Sequence, residues 1–254
     1  MDHPGHARRQ AVIVTQHAPN LTVVVPAFNE GPNIEPVVHE IMQTLDREPS
    51  IGSYEIVLVN DGSSDATRAV IDRLAGEHPM VSSHHHDVNR GFGAALRTGF
   101  AHSRGNAVTF ITADGEIGTD VVVEMLRAID DHDLVLSARE RTVGTDRRVL
   151  TWGVELMLRL ILGFVPEASG IYMVRGDLVR RMPLKSNTGL ANLEVILFCQ
   201  HWGRRIGKAG VTRARPRLSG TSKVTNLPTI LRTLLEMAKL RWRIVRHAQF
   251  GERL

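Results

Sequence analysis

The chain reads as an α/β protein built on a mostly parallel sheet with helices on both faces, and three features point there. Short, β-branched apolar runs recur along the first half, each followed by a polar loop and then a helical period. The loops after three of those runs carry acids or amides, which places them together at the strand ends where an open sheet binds its ligand. The run Val108 to Glu116, VTFITADGE, reads as a buried parallel strand that stops on two carboxylates, Asp114 and Glu116.

Taken in order, Met1 to Asn20 hold Pro, Gly and His without a sustained period and are expected to be a disordered leader. Leu21 to Val25, LTVVV, is the first strand, closed by Pro26. AFNEGPN follows it, then a helix whose first turn holds Pro32 or Pro36. Glu55 to Val59 is the second strand, ending in NDGSSD, where Ser64 or Asp65 caps a helix running to about Glu77. A third strand near Val81 to His85 leads into NRGFGAALRTGF, a glycine-rich turn opening another helix. After the VTFITADGE strand come a helix over roughly Thr119 to Asp130 and a fifth strand, Asp133 to Ser137. Arg147 to Val165 is an amphipathic helix with Arg148, Glu155 and Arg159 near one face, suited to cover the core or lie on a bilayer. SGIYMVRG is a sixth strand, a helix spans about Leu190 to Trp202, and Arg205 to Thr212 is the last strand. RPRLSGTSKV is then a basic loop, and residues 225–254 form a C-terminal basic amphipathic helix.

With 254 residues the chain fits one large domain or a domain with an appendage. The single cysteine, Cys199, excludes an intramolecular disulfide and fits a reducing compartment. No run reaches the roughly 18 apolar residues that a spanning helix needs. The net charge of +4 is uneven: from Arg204 to Leu254 there are thirteen Lys or Arg against two acids. Such a segment suits phosphates or an anionic membrane surface. Within it Leu231, Leu235, Ala238, Trp242 and Val245 recur at helical spacing, with Arg232, Lys239, Arg243 and Arg246 alongside, so a membrane-surface anchor is expected.

Three loops converge on one edge: Asn29 with Glu30, Asp61, and Asp114 with Glu116. Each alone also serves as a cap or turn. Carboxylate oxygens at such an edge suit Mg²⁺ or Mn²⁺ bridging phosphates. NRGFGAAL, through Gly91, offers backbone N–H groups at a helix start, where a phosphate can sit. His84, His85 and His86 resemble a metal cluster, but neighbours on a strand point to opposite faces. Arg217, Ser222 and Lys223 in the basic loop offer charge and a hydroxyl to phosphate oxygens.

The motifs VVVPAFNE, EIVLVNDGSSDAT, NRGFGAALRTG, TADGE, SGIYMVRGDL and RLSGTSK, in that order, resemble a family 2 glycosyltransferase of GT-A fold over roughly residues 21–224. Within that family the chain most resembles the dolichol-phosphate or polyprenyl-phosphate mannose synthase branch. The resemblance implies a nucleotide-sugar site, GDP- or UDP-linked, in which Pro26, Ala27, Asn29 and Glu30 surround base and ribose. It puts Asp61 on the base, Asp114 on a divalent metal, and Arg217, Ser222 and Lys223 on phosphates. The family's Asp-x-Asp pair is altered here to Thr112, Ala113, Asp114, with Glu116 able to restore the lost charge and the Thr112 hydroxyl able to bond a ribose. The implied reaction is metal-assisted, inverting transfer of a hexose, mannose first and glucose second, to a polyprenyl or dolichyl phosphate. A phosphate acceptor needs no general base, and no dedicated base stands out; Glu194 is the one candidate, and its helix setting favours an ion-pair role. Two other readings follow from the same residues: a non-catalytic nucleotide-sugar-binding relative, and a transferase with a hydroxyl acceptor. A nucleotidyltransferase is disfavoured, since no glycine-rich basic loop follows the first strand. The expected setting is cytoplasmic, peripheral at the cytoplasmic face of a membrane, with no nucleic-acid partner.

Overall fold

The computed structural model describes residues 19–139, 169–212, 215, 216, 218, 236, 239, 240 and 242. The expected leader before Pro19, the amphipathic helix at 147–165, and Arg217, Ser222 and Lys223 lie outside the described residues.

The described chain forms a seven-stranded sheet in the order β3-β2-β1-β4-β6-β5-β7. β1 (Leu21–Ala27), β2 (Tyr54–Asp61), β3 (Val81–His86) and β4 (Ala107–Phe110) are mutually parallel where they pair. All seven residues of β1 are buried, and successive side chains of a strand point to opposite faces, so both faces of the sheet are covered at its centre. Pro26 falls past the last β1–β4 pair, Val24 with Phe110, where β1 has become an edge on that side and a missing N–H is tolerated. β5 (Leu134–Arg139) and β7 (Ile206–Thr212) are parallel to each other. β6 (Ser169–Arg175) runs antiparallel between β4 and β5, a reversal that apolar periodicity does not encode.

The helices are α1 (Gly31–Asp46), α2 (Thr67–Glu77), α3 (Phe92–His102), α4 (Asp120–Ile129), α5 (Gly176–Arg181) and α6 (Leu190–His201). α1 packs on α2, α3 lies against β1, β2 and α6, and α4 lies under β5, β6 and β7. Pro32 occupies the first turn of α1, while Pro36 lies inside the helix. α2 starts one residue later than a Ser64 or Asp65 cap requires: Ala66 holds the cap position without a side-chain bond, and Asp65, just before it, accepts from the Thr67 amide at 3.0 Å through Oδ1. Burial works to raise the Asp65 pKa, but bonds from the Thr67 hydroxyl and amide and the Gly31 amide outweigh it and hold the carboxyl below its ordinary value.

β4 ends four residues before Asp114, so the carboxylates of TADGE stand on a loop and not at the strand's last position. The strand ends once Val24, its last partner on β1, has been matched.

Candidate active site

The C-terminal ends of β1, β2 and β4 form the rim expected to bind a ligand. After Ala27 the chain turns sharply at Asn29, whose φ of 53° lies in the left-handed region that Asn tolerates better than most residues. The Asn29 amide donates to Ser63 Oγ and its Oδ1 accepts from the Ser64 amide, both at 2.9 Å. The Glu30 amide donates to Thr67 Oγ1 at 2.9 Å, and Glu30 Oε2 accepts from Asn33 Nδ2 at 2.6 Å. Loops 28–30 and 62–67 are therefore knitted into one ledge beside Pro26 and Ala27.

Asp61 closes the ledge from below and is 3% exposed. Its Oδ1 accepts from the Arg90 amide at 2.9 Å and its Oδ2 from the Gly91 amide at 2.8 Å. His86 Nδ1 lies 2.7 Å from Asp61 Oδ1 and His86 Nε2 lies 2.8 Å from Thr98 Oγ1. The carboxylate only accepts, so Nδ1 carries a proton toward it. The Gly93 amide donates to the Asn187 carbonyl at 3.0 Å. The α3 start is thus an internal seam: the amides of Arg90, Gly91 and Gly93, expected to hold a phosphate, are occupied by Asp61 and Asn187. The seam is tight, since a Cβ on Gly91 would lie 2.3 Å from the Asn187 carbonyl oxygen.

The third loop carries the carboxylates. Thr112 Oγ1 donates to Asp114 Oδ1 at 2.7 Å, and the Glu116 amide donates to the same oxygen at 3.1 Å. Gly115, at φ 73°, makes the turn between the two acids. The Thr112 hydroxyl donates to Asp114 and orients it, and its oxygen keeps an acceptor site for a ribose hydroxyl. Ala113 is buried beneath the turn. The segment that begins the basic loop lies across this turn: the Arg215 amide donates to the Glu116 carbonyl at 2.8 Å and the Leu218 amide to the Asp114 carbonyl at 3.2 Å. Sequence patterns far apart in the chain are thereby joined, and the joint involves Arg215 and Leu218, which motif reading passed over in favour of Arg217.

Two carboxylates on one short turn fit a hard cation of the Mg²⁺ or Mn²⁺ type, which takes one or two protein carboxylates and completes its shell with phosphate oxygens and water. Among the described residues no group of three or more His, Cys, Asp or Glu side chains is placed to hold a metal alone, the histidine run included. His85 instead bridges Asn60 and Asp72, and His84 stacks on His102 with ring centroids 3.8 Å apart. Glu194 is fully buried, and its Oε2 accepts from the amides of Lys185 and Ser186 at 3.0 and 2.9 Å. It ties the segment before α6 in place. Burial pushes the Cys199 thiol up to about 12, which leaves it inert as a nucleophile.

Of the C-terminal helix, Glu236, Lys239, Leu240 and Trp242 are described as helical. Leu240 is fully buried and Glu236 Oε2 accepts from Thr188 Oγ1 at 2.7 Å, so these described residues pack on the domain. The buried residue stands off the apolar stripe read from the sequence, whereas Trp242 on that stripe is 61% exposed. Among the described residues no helix is long and apolar enough to cross a membrane.

The family model described as glycosyl transferase family 2 matches residues 22–187, which include the ledge, Asp61, the α3 seam and the Asp114 turn. Among sequence relatives, a dolichyl-phosphate beta-glucosyltransferase of Trichomonas vaginalis is 33% identical over 135 residues, 50% of this chain and 40% of that protein. A prophage bactoprenol glucosyl transferase homolog of Escherichia coli is 32% identical over 176 residues, 67% of this chain and 56% of that protein. The chain therefore spans between two fifths and three fifths of these relatives' lengths. Among solved structures, a mannosyltransferase from Pyrobaculum calidifontis in complex with GDP-Man and Mn²⁺ superposes with a TM-score of 0.58 at 18% identity, covering 94% of this chain and 77% of that one. At that identity the likeness is one of fold.

Proposed function

We propose that this chain, which belongs to glycosyl transferase family 2, transfers a hexose from a nucleotide-sugar donor to a polyprenyl phosphate. The observation that carries the reading is the meeting of the Asp114–Glu116 turn with the start of the basic loop, an anionic and a cationic element placed together at the strand ends. The ledge of Pro26, Ala27, Asn29 and Glu30 receives the nucleoside. Three of the roughly four acceptor sites of the Asp61 carboxylate are taken internally, so its contact to a base uses the remaining one. Gly91 contributes through the fixed turn that Asp61 holds. Thr112 and Ala113 set the Asp114 carboxylate, and Asp114 with Glu116 holds the cation; the GT-A relative bound to GDP-Man and Mn²⁺ supports this role. When bound, the cation neutralises the charge that builds on the departing diphosphate.

In the reaction an oxygen of the acceptor phosphate attacks the anomeric carbon from the face opposite the nucleotide. The bond to the diphosphate oxygen breaks with its electron pair, and the anomeric centre inverts. Arg217, Lys223 and Ser222 stabilise phosphate charge on donor or acceptor. A phosphate monoester is already anionic near pH 7, so the step needs no proton acceptor, and the burial of Glu194 is compatible with that. The names of the two sequence relatives support glucose and that of the mannosyltransferase of like fold supports mannose, so both hexoses stand in the proposal. The test is a mass-spectrometric transfer assay with GDP- and UDP-linked mannose and glucose, a short polyprenyl phosphate and Mn²⁺ or Mg²⁺. Formation of a hexosyl phosphopolyprenol is expected; a product only on a hydroxyl acceptor, or donor binding without any product, would replace this reading with one of its two rivals.

Peripheral membrane contact, at a cytoplasmic leaflet, is part of the proposal. Exposed Trp242, Lys239 and Lys185 line an open groove of about 340 Å³ together with Ser186 and Glu236, so an indole and two cations share one surface. Each basic residue near an anionic leaflet adds about 1 kcal/mol. Trp242→Ala combined with Lys239→Glu is expected to abolish sedimentation with phosphatidylserine liposomes at low salt while the protein stays folded. Sedimentation equal to the unsubstituted chain would refute the contact. Deleting residues 227–254 is a poorer test than the sequence suggests, because it also uncovers the Leu240 slot.

A further inference from the structure

We infer that Arg215 is a positioning residue for the Asp114–Glu116 turn, an inference that rests on the transferase reading of that turn. The turn is held from outside at three points. The Arg215 amide donates to the Glu116 carbonyl at 2.8 Å, and the Leu218 amide donates to the Asp114 carbonyl at 3.2 Å. At the far end Glu40 Oε1 accepts from the Thr119 amide at 3.1 Å. That same Glu40 oxygen accepts from Arg215 Nη1 at 2.9 Å, while Arg215 Nη2 stands 3.5 Å from Asp120 Oδ2. One guanidinium fork therefore joins the middle of α1, the first residue of α4 and the turn between them.

Two glycines make room for this brace. A Cβ on Gly118 would lie 2.2 Å from Arg215 Nη2, and a Cβ on Gly115 would lie 2.7 Å from Leu218 Cδ1. The guanidinium thus lies against the backbone of Gly118, and the Leu218 side chain against that of Gly115. Two larger residues would lift both away.

Stability does not explain the arrangement. The side chains of Arg215, Glu40 and Asp120 are 42%, 38% and 80% exposed, and ion pairs at such sites contribute little to folding. Geometry explains it. Asp114 and Glu116 sit on a short turn beyond the end of β4, outside the ladder; the Thr112 hydroxyl and the Glu116 amide set Asp114 from within the turn, and the bonds from Arg215 and Leu218 hold its backbone from outside. A displacement of about 1 Å in a catalytic group can cost about a hundredfold in rate. Arg215 supplies a constraint from outside the turn, tying the backbone of Glu116 and the start of α4 to α1.

The test compares Arg215→Gln, Arg215→Lys and Gly118→Ala in the full chain. Gln loses both ion pairs; Lys keeps one; Ala at 118 leaves Arg215 intact but displaces its flexible end. Hydrogen exchange of peptides covering residues 111–119 is expected to accelerate at least fivefold in Arg215→Gln and Gly118→Ala, with sheet peptides unchanged and melting temperatures within about 2 °C of the parent. Transfer is expected to fall at least tenfold in kcat with a smaller change in donor KM, and Arg215→Lys to recover part of it. Unchanged exchange at 111–119 in Arg215→Gln overturns the inference, as does a parental kcat in that variant. An inactive parent chain would defeat the transferase reading, while the exchange data would still decide whether Arg215 holds the turn.

Discussion

Replacing Thr112 with Asp restores the carboxylate pair usual in the family, and the structure makes its consequence depend on metal. In the parent, Thr112 Oγ1 donates to Asp114 Oδ1 at 2.7 Å. Aspartate there removes a hydrogen bond of about 1 kcal/mol and sets a second anion against the first. Two unit charges about 4 Å apart repel by about 4 kcal/mol at an effective dielectric of 20. Residues 112 and 114 are half-buried, so solvent reduces this, and a net cost of about 1–3 kcal/mol is expected. For a domain of this size that is a fall of roughly 3–10 °C in melting temperature. A divalent cation held between the carboxylates cancels the repulsion. Differential scanning fluorimetry in EDTA and in Mn²⁺ reads both effects: Thr112→Asp melts below the parent in EDTA and gains more than the parent on adding Mn²⁺. Thr112→Val, which loses only the hydrogen bond, falls by about 1 kcal/mol and gains no extra metal response. A Thr112→Asp protein that melts like the parent in EDTA, or responds equally to Mn²⁺, would refute the placement of the cation at this turn.

Three further outcomes are expected. Asp114→Asn keeps an acceptor for Thr112 and the Glu116 amide but removes the charge, so transfer drops at least about a hundredfold with little change in melting temperature; full turnover would displace the site from this turn. Arg217→Ala and Lys223→Ala each lower kcat by at least about tenfold without lowering stability to match, and parallel losses of both would mark the loop as structural. Burial, followed by repulsion from His102 and His85, holds the His84 pKa below 6.5, so the folded state resists protonation. That group costs nothing well above its unfolded pKa, and its penalty grows as pH falls through 6.5 and is complete below the folded value. The melting temperature of His84→Gln relative to the parent should therefore rise between pH 8 and pH 5, and a difference independent of pH would contradict the assignment.

The parallel half of the sheet was legible because its strands are β-branched, buried on both faces and separated by helical periods; β1, β2 and β3 each extend one or two residues past the expected ends. β4 is shorter than its apolar run. Ile111 and Ala113 are buried although they lie beyond the ladder, so hydrophobicity overstates the strand by reporting burial and not pairing. The antiparallel course of β6 left no mark either. Its residues are as apolar as those of a parallel strand, and the direction of a strand is decided by the connections around it.

At the site, local chemistry was legible and its direction was not. Asn29, Asp61 and Asp114 were identifiable as polar residues at strand ends, but a sequence does not say whether a carboxylate faces a ligand or its own backbone. Asp61 faces largely inward, because the turn that carries Gly91 has amides to satisfy and Asp61 is buried beside them. The Asp114 turn is different in kind. Its partners are Arg215, Leu218 and Glu40, and the Arg215–Glu40 bond joins residues 175 apart in the chain. No periodicity spans such an interval, and arginine in a basic loop looks the same whether it meets a phosphate or a glutamate. What separates the two is room: Gly118 leaves a seat for the Arg215 guanidinium, and Gly115 one for Leu218. Gly115 is also required by its φ of 73°, while Gly118 has no positive φ, and the nearest atoms to a Cβ there all belong to the Arg215 guanidinium. A glycine without a conformational reason, facing an arginine from the far end of the chain, is the feature by which this brace is recognised once the fold is known.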